Sequence, residues 1–300
     1  MSLAVHPASA WAKTIDTPPL KMADIGDDIR LHYVESGNGT PVVFVHGSLS
    51  DYTYWQDQVA PFATSYHALA YSRRYNFPNN NPVRPGYSAI VDADDLAQLV
   101  QTLKLGKIVV VGHSYGALTA LFFAIRHPRL VLALALAEAP AISLLNHLSE
   151  QRATTGKAMF QDIQARMIAP MTAAFAKAAR HAGISAFMAY VFNNPDEWSN
   201  MSQASRNETL RDAHEWDVMM TTGTLFPDLD PASVKKISAP VLLLSGGKSY
   251  PFLTLIDERL SQLLPFNQHI VFPDCGHQMW LVHPDQCRED VETFLGQNNI

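Results

Sequence analysis

The stretch VVVGHSYGAL, residues 109–118, decides the fold. A block of β-branched residues runs into Gly-His-Ser-Tyr-Gly and then into small residues that suit a helix. This order predicts a buried strand, a tight turn and a helix, with Ser114 in the turn between Gly112 and Gly116. Such a turn either is an ordinary strand-to-helix connection or presents the serine hydroxyl as a nucleophile at the carboxyl end of a sheet.

The composition favours a globular intracellular protein. The chain has 300 residues, 47% of them apolar, and its 22 Lys and Arg against 28 Asp and Glu give a net charge of −6. An acidic chain without a basic block is not expected to bind nucleic acid or an anionic membrane, and no apolar run reaches the ~18–20 residues of a membrane span. Cys275 and Cys287 form no disulfide framework, and we recognise no signal peptide, so the predicted location is cytoplasmic.

Strand and helix patterns alternate along most of the chain and break only between residues 141 and 228, where helical patterns rich in Met, Phe, Trp and Ala occur. We therefore expect an α/β core of residues 21–140 and 229–300, a helical cap at 141–228 and a loose arm at 1–20. The predicted strands lie at 29–37, 42–46, 67–72, 107–114, 130–139, 239–247 and 268–273. The predicted helices lie at 51–63, 92–105, 115–127, 157–168, 171–182, 186–192, 212–220, 252–264 and 284–296.

Two further motifs occupy comparable turns. VFVHGSLSDYTYW (43–55) has His-Gly at the end of an earlier strand, and PDCGHQMW (273–280) has Gly-His after the last predicted strand. Together with the Gly-x-Ser-x-Gly turn, they resemble the motifs of the α/β-hydrolase family over residues 25–298. The resemblance implies an α/β-hydrolase fold, in which a mostly parallel central sheet is flanked by helices and carries a helical cap insertion.

The resemblance also implies a role for each motif. Ser114 would be the nucleophile and His277 the general base. The backbone N–H groups of Ser48 and Tyr115 would form the oxyanion hole, because these residues follow the His-Gly pair and the nucleophile.

The acid that orients the base is the open point of the site. In the family it commonly follows the strand that reads PVLLLSGG here, but Ser249 stands where an aspartate is expected. Glu138 ends the apolar run LALALAEAPA, where a buried carboxylate needs a partner, and AEAPA looks like the acid-bearing segment of haloalkane dehalogenases and of some serine-dependent relatives. We predict Glu138 as the acid. The alternative is that Glu138 faces solvent and another carboxylate is the acid. Asp257 is the next candidate, although it is expected on an exposed helix face. Asp274 is very near His277 in sequence, which argues against it.

Four residues close to the motifs receive structural interpretations. His46 and His113 lie inside motifs whose backbone or serine does the chemistry, so they are expected to be packed histidines. Arg73 and Arg74, in YSRRYN, are expected in a solvated loop.

Several other chemistries are excluded by the sequence. SGGKS (245–249) ends like a phosphate-binding loop, but Leu242 stands where that loop has its first glycine. Neither His-Glu-x-x-His nor a Cys/His spacing suited to zinc occurs, so no metal and no cofactor are predicted. A serine nucleophile also argues against dehalogenase and epoxide-hydrolase chemistry, since those members of the superfamily use a carboxylate.

The predicted function is a serine hydrolase that cleaves a carboxylic ester or lactone of a small, largely apolar substrate through an acyl-enzyme. The expected partner is this small molecule. Three alternatives stay open: hydrolysis of a carbon–carbon bond, perhydrolysis with peroxide in place of water, and a hydrolase-fold receptor that binds its ligand with little turnover. The sequence predicts neither the natural substrate nor the oligomeric state.

Overall fold

The structure, a computed structural model, describes residues 18–300, so the predicted arm at 1–20 lies almost entirely outside the described residues. Eight strands form one sheet in the order β1-β2-β4-β3-β5-β6-β7-β8. Strands β3 to β8 are parallel, while β2 pairs antiparallel with both β1 and β4, which confirms the predicted mostly parallel sheet. The strands are β1 Lys21–Asp24, β2 Arg30–Ser36, β3 Pro41–Val45, β4 His67–Tyr71, β5 Ile108–His113, β6 Val131–Ala137, β7 Val241–Gly246 and β8 Asn267–Phe272.

Helices flank the sheet and fill the long connection between β6 and β7. They are α1 Gln56–Phe62, α2 Ala89–Thr102, α3 Tyr115–Arg126, α4 Ala153–Ile163, α5 Ala169–Phe175, α6 Arg180–Val191, α7 Glu197–Asn200, α8 Gln203–Arg211, α9 His214–Thr222, α10 Pro231–Val234, α11 Pro251–Leu263, α12 Met279–Val282 and α13 Pro284–Gln297. Short 3-10 turns lie at Tyr52–Trp55, Pro128–Leu130, Ile142–His147 and Glu150–Arg152, and a π-helical turn at Gln164–Ile168 joins α4 to α5. None of the described helices is long and apolar enough to cross a bilayer.

The central strands are buried on both faces, which explains their continuous apolar sequences. Because side chains alternate along a strand, Val43 and Val45 of β3 join one apolar core while Val42 and Phe44 join the other. Helices α2, α3 and α11 contribute to the first core, and α1 and α13 to the second. The sheet is thus the middle layer of an α/β/α arrangement.

The chain between Ala137 and Val241 forms helices and loops, with no strand among its residues, all of which are described. We call residues 141–228 the cap segment; its division from the core remains a prediction. Trp216 and Met171 of the cap segment are almost completely buried in the core that α3 and α11 share. The cap segment therefore shares buried apolar side chains with the core.

Several local features differ from the prediction: helices α7, α8, α10 and α12 were not predicted, and two further differences have a clear local cause. Strand β1 has only four residues with one buried side chain, so it offers no apolar pattern that could identify it. The helix predicted over 171–182 is interrupted, because α5 ends at Phe175 and Ala178 adopts a left-handed φ of 55° before α6 begins.

Candidate active site

Ser114 lies in a strained turn between β5 and α3. Its φ of 53° and ψ of −121° lie in a region that non-glycine residues rarely adopt. The turn is held by the Ser114 N–H, which donates to the Ala137 carbonyl at 2.8 Å. This conformation is typical of a serine that is presented at the end of a sheet strand.

Glycines allow the backbone to approach this turn closely. A Cβ on Gly112 would lie 2.7 Å from the Gly116 carbonyl oxygen, and one on Gly116 would lie 2.1 Å from the Val45 carbonyl oxygen. A Cβ on Gly47 would lie 3.2 Å from the Cβ of Ser114. The His-Gly segment after β3 therefore passes directly beside the serine.

His277 and Glu138 meet at the same edge of the sheet. Glu138 is fully buried, its Oε2 lies 2.6 Å from Nδ1 of His277, and its Oε1 accepts the Gly246 N–H at 2.8 Å. His113 Nε2 donates to the His277 carbonyl at 2.8 Å, and burial together with the His277 ring lowers the pKa of His113 to about 3. His113 is thus a packed histidine, as predicted; its ring is neutral, and it holds the backbone of His277.

The alternative acids lie elsewhere. The prediction that Asp257 is exposed is wrong: it is 1% exposed because its face of α11 packs on the sheet, and it accepts a hydrogen bond from Ser245 Oγ at 2.5 Å. Burial and the nearby charge of Glu138 raise the pKa of Asp257 well above its ordinary value. Asp274 is exposed and bonds His283 at 3.1 Å. Within residues 18–300, Glu138 is the carboxylate in ion-pair distance of the His277 ring.

The prediction of a solvated loop for Arg73 and Arg74 is also wrong. The Arg73 side chain is 0% exposed and bonds Asp92 at 2.9 Å, and it also bonds Glu215 of α9. Arg74 is largely buried and its Nε donates to Asp95 Oδ2 at 2.7 Å. Arginines two and three residues after a buried strand are the signal that could have indicated these ion pairs, since a charge so close to the core needs a compensating partner.

Two cavities meet at Ser114. A cavity of about 450 Å³ opens between the core and the cap segment, and a second cavity of about 20 Å³ adjoins it through shared lining residues. Both are lined by Ser48, Ser114, Phe187, Val191 and His277. The structure thus brings the predicted nucleophile, base and one oxyanion residue to one solvent-accessible place.

Tyr115, the other predicted oxyanion residue, is the first residue of α3. The first N–H groups of a helix have no partner within the helix, and they lie at the positive end of its dipole. The Tyr115 amide therefore belongs to a helix terminus that can stabilise negative charge beside Ser114.

The two cavities differ in character. The small one is lined by apolar residues besides the shared ones: Pro140, Met167, Phe226, Phe252 and Leu253. The large one also has acidic and basic lining residues: Asp51, Asp57, Glu208, Asp212 and Arg211. A substrate at Ser114 therefore meets a small apolar recess and a wide cavity whose lining is partly apolar and partly polar.

One group of side chains has metal-ligand chemistry. Ligand atoms of Asp274, Cys275 and His283 lie within 4.8 Å of one another. Burial and the charge of Asp274 raise the pKa of the Cys275 thiol to about 11, so this thiol is not a ready thiolate ligand. We assign no metal to this group.

Known proteins resemble this chain over nearly its whole length. Epoxide hydrolase 3 of Mus musculus is 26% identical over 305 aligned positions, which cover 94% of this chain and 77% of that protein. The 2-(acetamidomethylene)succinate hydrolase of Mesorhizobium japonicum is also 26% identical, with coverages of 92% and 94%. Among solved structures, an N-acyl homoserine lactone degrading enzyme superposes with a TM-score of 0.71 at 20% identity, with coverages of 91% and 100%.

A comparison with protein-family models covers most of the chain. A model of the alpha/beta hydrolase family matches residues 42–290, which include the three motif turns and the cap segment. This match confirms the family and the fold class predicted from the motifs, and the chain belongs to the α/β hydrolase family.

Proposed function

We propose that this protein is a serine hydrolase that cleaves a carboxylic ester or lactone through an acyl-enzyme. The observation that carries the proposal is the strained Ser114 turn, which shares a cavity with a His277 ring bonded to buried Glu138. A serine, a base and an orienting acid at one site are the requirements of nucleophilic acyl transfer.

The steps follow from the positions of these groups. Ser114 Oγ attacks the carbonyl carbon while His277 Nε2 takes its proton, and Glu138 stabilises the imidazolium that results. The N–H groups of Ser48 and Tyr115 hold the oxyanion of the tetrahedral intermediate. His277 then protonates the leaving alcohol, and a water molecule activated by His277 releases the acyl group and restores Ser114.

The cavities indicate the kind of ester. A recess of about 20 Å³ is close to the space that one water molecule needs, so the group placed there is short and apolar. The cavity of about 450 Å³ has room for a larger group and offers it both polar and apolar contacts. We assign the acyl chain to the small recess and the alcohol side of the ester to the large cavity.

The likeness to epoxide hydrolase 3 carries no activity to this chain at 26% identity. The residue in the nucleophile turn is Ser114, which forms an ester with a substrate acyl group. The lactone-degrading enzyme among the structural neighbours is 20% identical to this chain, so its likeness supports the fold alone.

The test is the hydrolysis of short-chain p-nitrophenyl esters by the wild type and by Ser114→Ala. We expect many turnovers by the wild type and a kcat at least about 10³-fold lower in the variant, because the nucleophile is lost. At most one equivalent of product from the wild type would overturn the proposal in favour of a ligand receptor. Turnover that survives in Ser114→Ala would overturn the role of the serine.

A further inference from the structure

A buried cation lies beneath the cap segment, outside the three residues of the proposed triad. Arg73 is fully buried, and its Nη1 donates to Asp92 Oδ2 at 2.9 Å and to the Tyr87 hydroxyl at 3.3 Å. Its Nη2 donates to the Gly47 carbonyl at 3.0 Å and to Glu215 Oε2. One guanidinium thus connects α2, the segment after β3 and helix α9 of the cap segment.

The burial of this charge requires compensation. Burial alone lowers the pKa of Arg73, but Glu215, Tyr87 and Asp92 outweigh it and the pKa stands well above its ordinary value. Buried ion pairs often add little to stability in comparison with apolar side chains of similar volume. Stability alone therefore does not account for Arg73. The contacts of its Nη2 with the Gly47 carbonyl and with Glu215 indicate a role at the site.

The first of these contacts fixes the peptide that contains the Ser48 N–H. The Gly47 carbonyl accepts hydrogen bonds from Arg73 Nη2 at 3.0 Å and from His46 Nδ1 at 2.9 Å. His46 Nε2 accepts the Arg73 N–H at 3.0 Å, and burial lowers the pKa of His46, so its ring is neutral with the proton on Nδ1. In a planar trans peptide the next N–H points opposite to the carbonyl. With its carbonyl held on the Arg73 side, this peptide directs the Ser48 N–H away from Arg73.

The second contact holds the residue that follows. Leu49 has a φ of 56°, in the left-handed region that a leucine rarely adopts. Its N–H donates to Glu215 Oε1, so the same carboxylate bonds both Arg73 and the Leu49 amide. A strained conformation of this kind persists where the surroundings fix it, and Glu215 supplies that fixation from the cap segment.

We propose that Arg73 and Glu215 are positioning residues that aim the Ser48 amide at the oxyanion, so that the oxyanion hole is complete only when α9 of the cap segment is docked. This inference rests on the proposed function, in which the Ser48 N–H binds the oxyanion. It assigns to the cap segment a part in transition-state stabilisation in addition to its lining of the cavity.

The test compares Glu215→Gln with Asp95→Asn. Asp95 is a matched control, because it pairs with the neighbouring Arg74 and has no bond to residues 46–49. In Glu215→Gln we expect kcat for p-nitrophenyl acetate to fall about 10²-fold, with KM within about twofold, since the lost interaction acts on the transition state. The affinity for a boronic acid that forms a tetrahedral adduct with Ser114 should fall by a similar factor. In Asp95→Asn both quantities should stay near the wild-type values.

Hydrogen exchange gives a measurement that does not depend on turnover. The amides of a peptide spanning residues 46–51 should exchange faster in Glu215→Gln than in the wild type or in Asp95→Asn, while β3 stays protected. Unchanged exchange or an unchanged kcat in Glu215→Gln would overturn the inference and leave the proposed function standing. Absence of Ser114-dependent turnover in the wild type would overturn the proposed function, and this inference with it.

Discussion

Glu138 Oε2 lies 2.6 Å from Nδ1 of His277, although the two residues are 139 positions apart in the chain. The other oxygen of Glu138 accepts the Gly246 N–H at 2.8 Å, so the carboxylate is fixed from two sides. Strand β6, which ends just before Glu138, lies beside β7, which ends at Gly246. Glu138 therefore reaches the edge of the sheet next to the loop that follows β7, where the family commonly has its acid. In the proposed mechanism, Glu138 therefore takes the role of the aspartate that was expected at position 249.

The first prediction concerns Glu138→Gln. The amide keeps the shape and can still accept the Gly246 N–H, but its NH₂ group then faces Nδ1 of His277. That contact favours the tautomer with the proton on Nε2, which cannot accept the proton of Ser114. We expect kcat for p-nitrophenyl acetate to fall by roughly 10²–10⁴-fold with little change in KM. Asp257→Asn, which alters a buried carboxyl near Glu138, is the control and should retain far more activity.

The second prediction uses the strain at Ser114. Ser114→Ala and Ser114→Gly both remove the hydroxyl, but only glycine adopts a φ of 53° without steric cost. We expect Ser114→Gly to be more stable than Ser114→Ala by about 1 kcal/mol in urea unfolding. At exposed Ala204 within α8 the order should reverse, since Ala204→Gly costs about 1 kcal/mol in a helix. Equal stability of the two Ser114 variants would contradict the strain.

The third prediction concerns pH and Asp257, whose pKa is raised well above its ordinary value by burial and by Glu138. The native state keeps a proton that the unfolded state releases above about pH 4, so this carboxyl lowers the free energy of unfolding as the pH rises. Asn has no such titration. We therefore expect the melting temperature of Asp257→Asn, relative to wild type, to increase between pH 5 and pH 8.

The control for this prediction is Asp228→Asn at an exposed position. Its charge meets water in both states, so the difference from wild type should be the same at pH 5 and pH 8. A constant difference for Asp257→Asn as well would show that Asp257 ionises in the folded protein as it does in the unfolded chain.

The fourth prediction concerns acyl-chain length. Because the apolar recess measures about 20 Å³, the wild type should prefer acetyl over hexanoyl p-nitrophenyl esters in kcat/KM. Phe226→Ala widens this recess and should shift the preference towards the longer chain by about 10-fold or more. Phe266→Ala, at a phenylalanine that is 62% exposed, is the control and should leave the preference unchanged. An unaltered preference in Phe226→Ala would place the acyl chain elsewhere.

Local sequence carried much of the fold and the core of the candidate site. Ser114 and His277 lie in short motifs at strand ends. Glu138 was singled out as a lone carboxylate after an apolar run and by the likeness of AEAPA to the acid-bearing segment of related enzymes. These signals are local because each depends on a few consecutive residues and on the parallel sheet that brings strand ends to one edge.

Long-range pairing is what the sequence did not reveal. Arg73 and Glu215 are separated by 142 positions, and the sequence around each residue gives no indication that the two form an ion pair. Asp257 lies on the buried face of its helix, although its polarity predicted the exposed face. A protonated acid with a serine partner tolerates burial. Both errors arise where a polar group is compensated by a partner from another element.

The adjacency of β6 and β7 has a consequence for how such proteins diversify. Leu134 pairs with Val241 and Ala137 with Leu244, so the connection that contains the cap segment leaves and re-enters the sheet at neighbouring strands. An insertion with closely spaced ends can be exchanged between homologues without altering strand order. A chimaera whose foreign cap segment has no carboxylate at the place of Glu215, however, loses the hydrogen bond to the Leu49 N–H. Grafts should therefore recover activity when the donor helix carries a glutamate at the matching place.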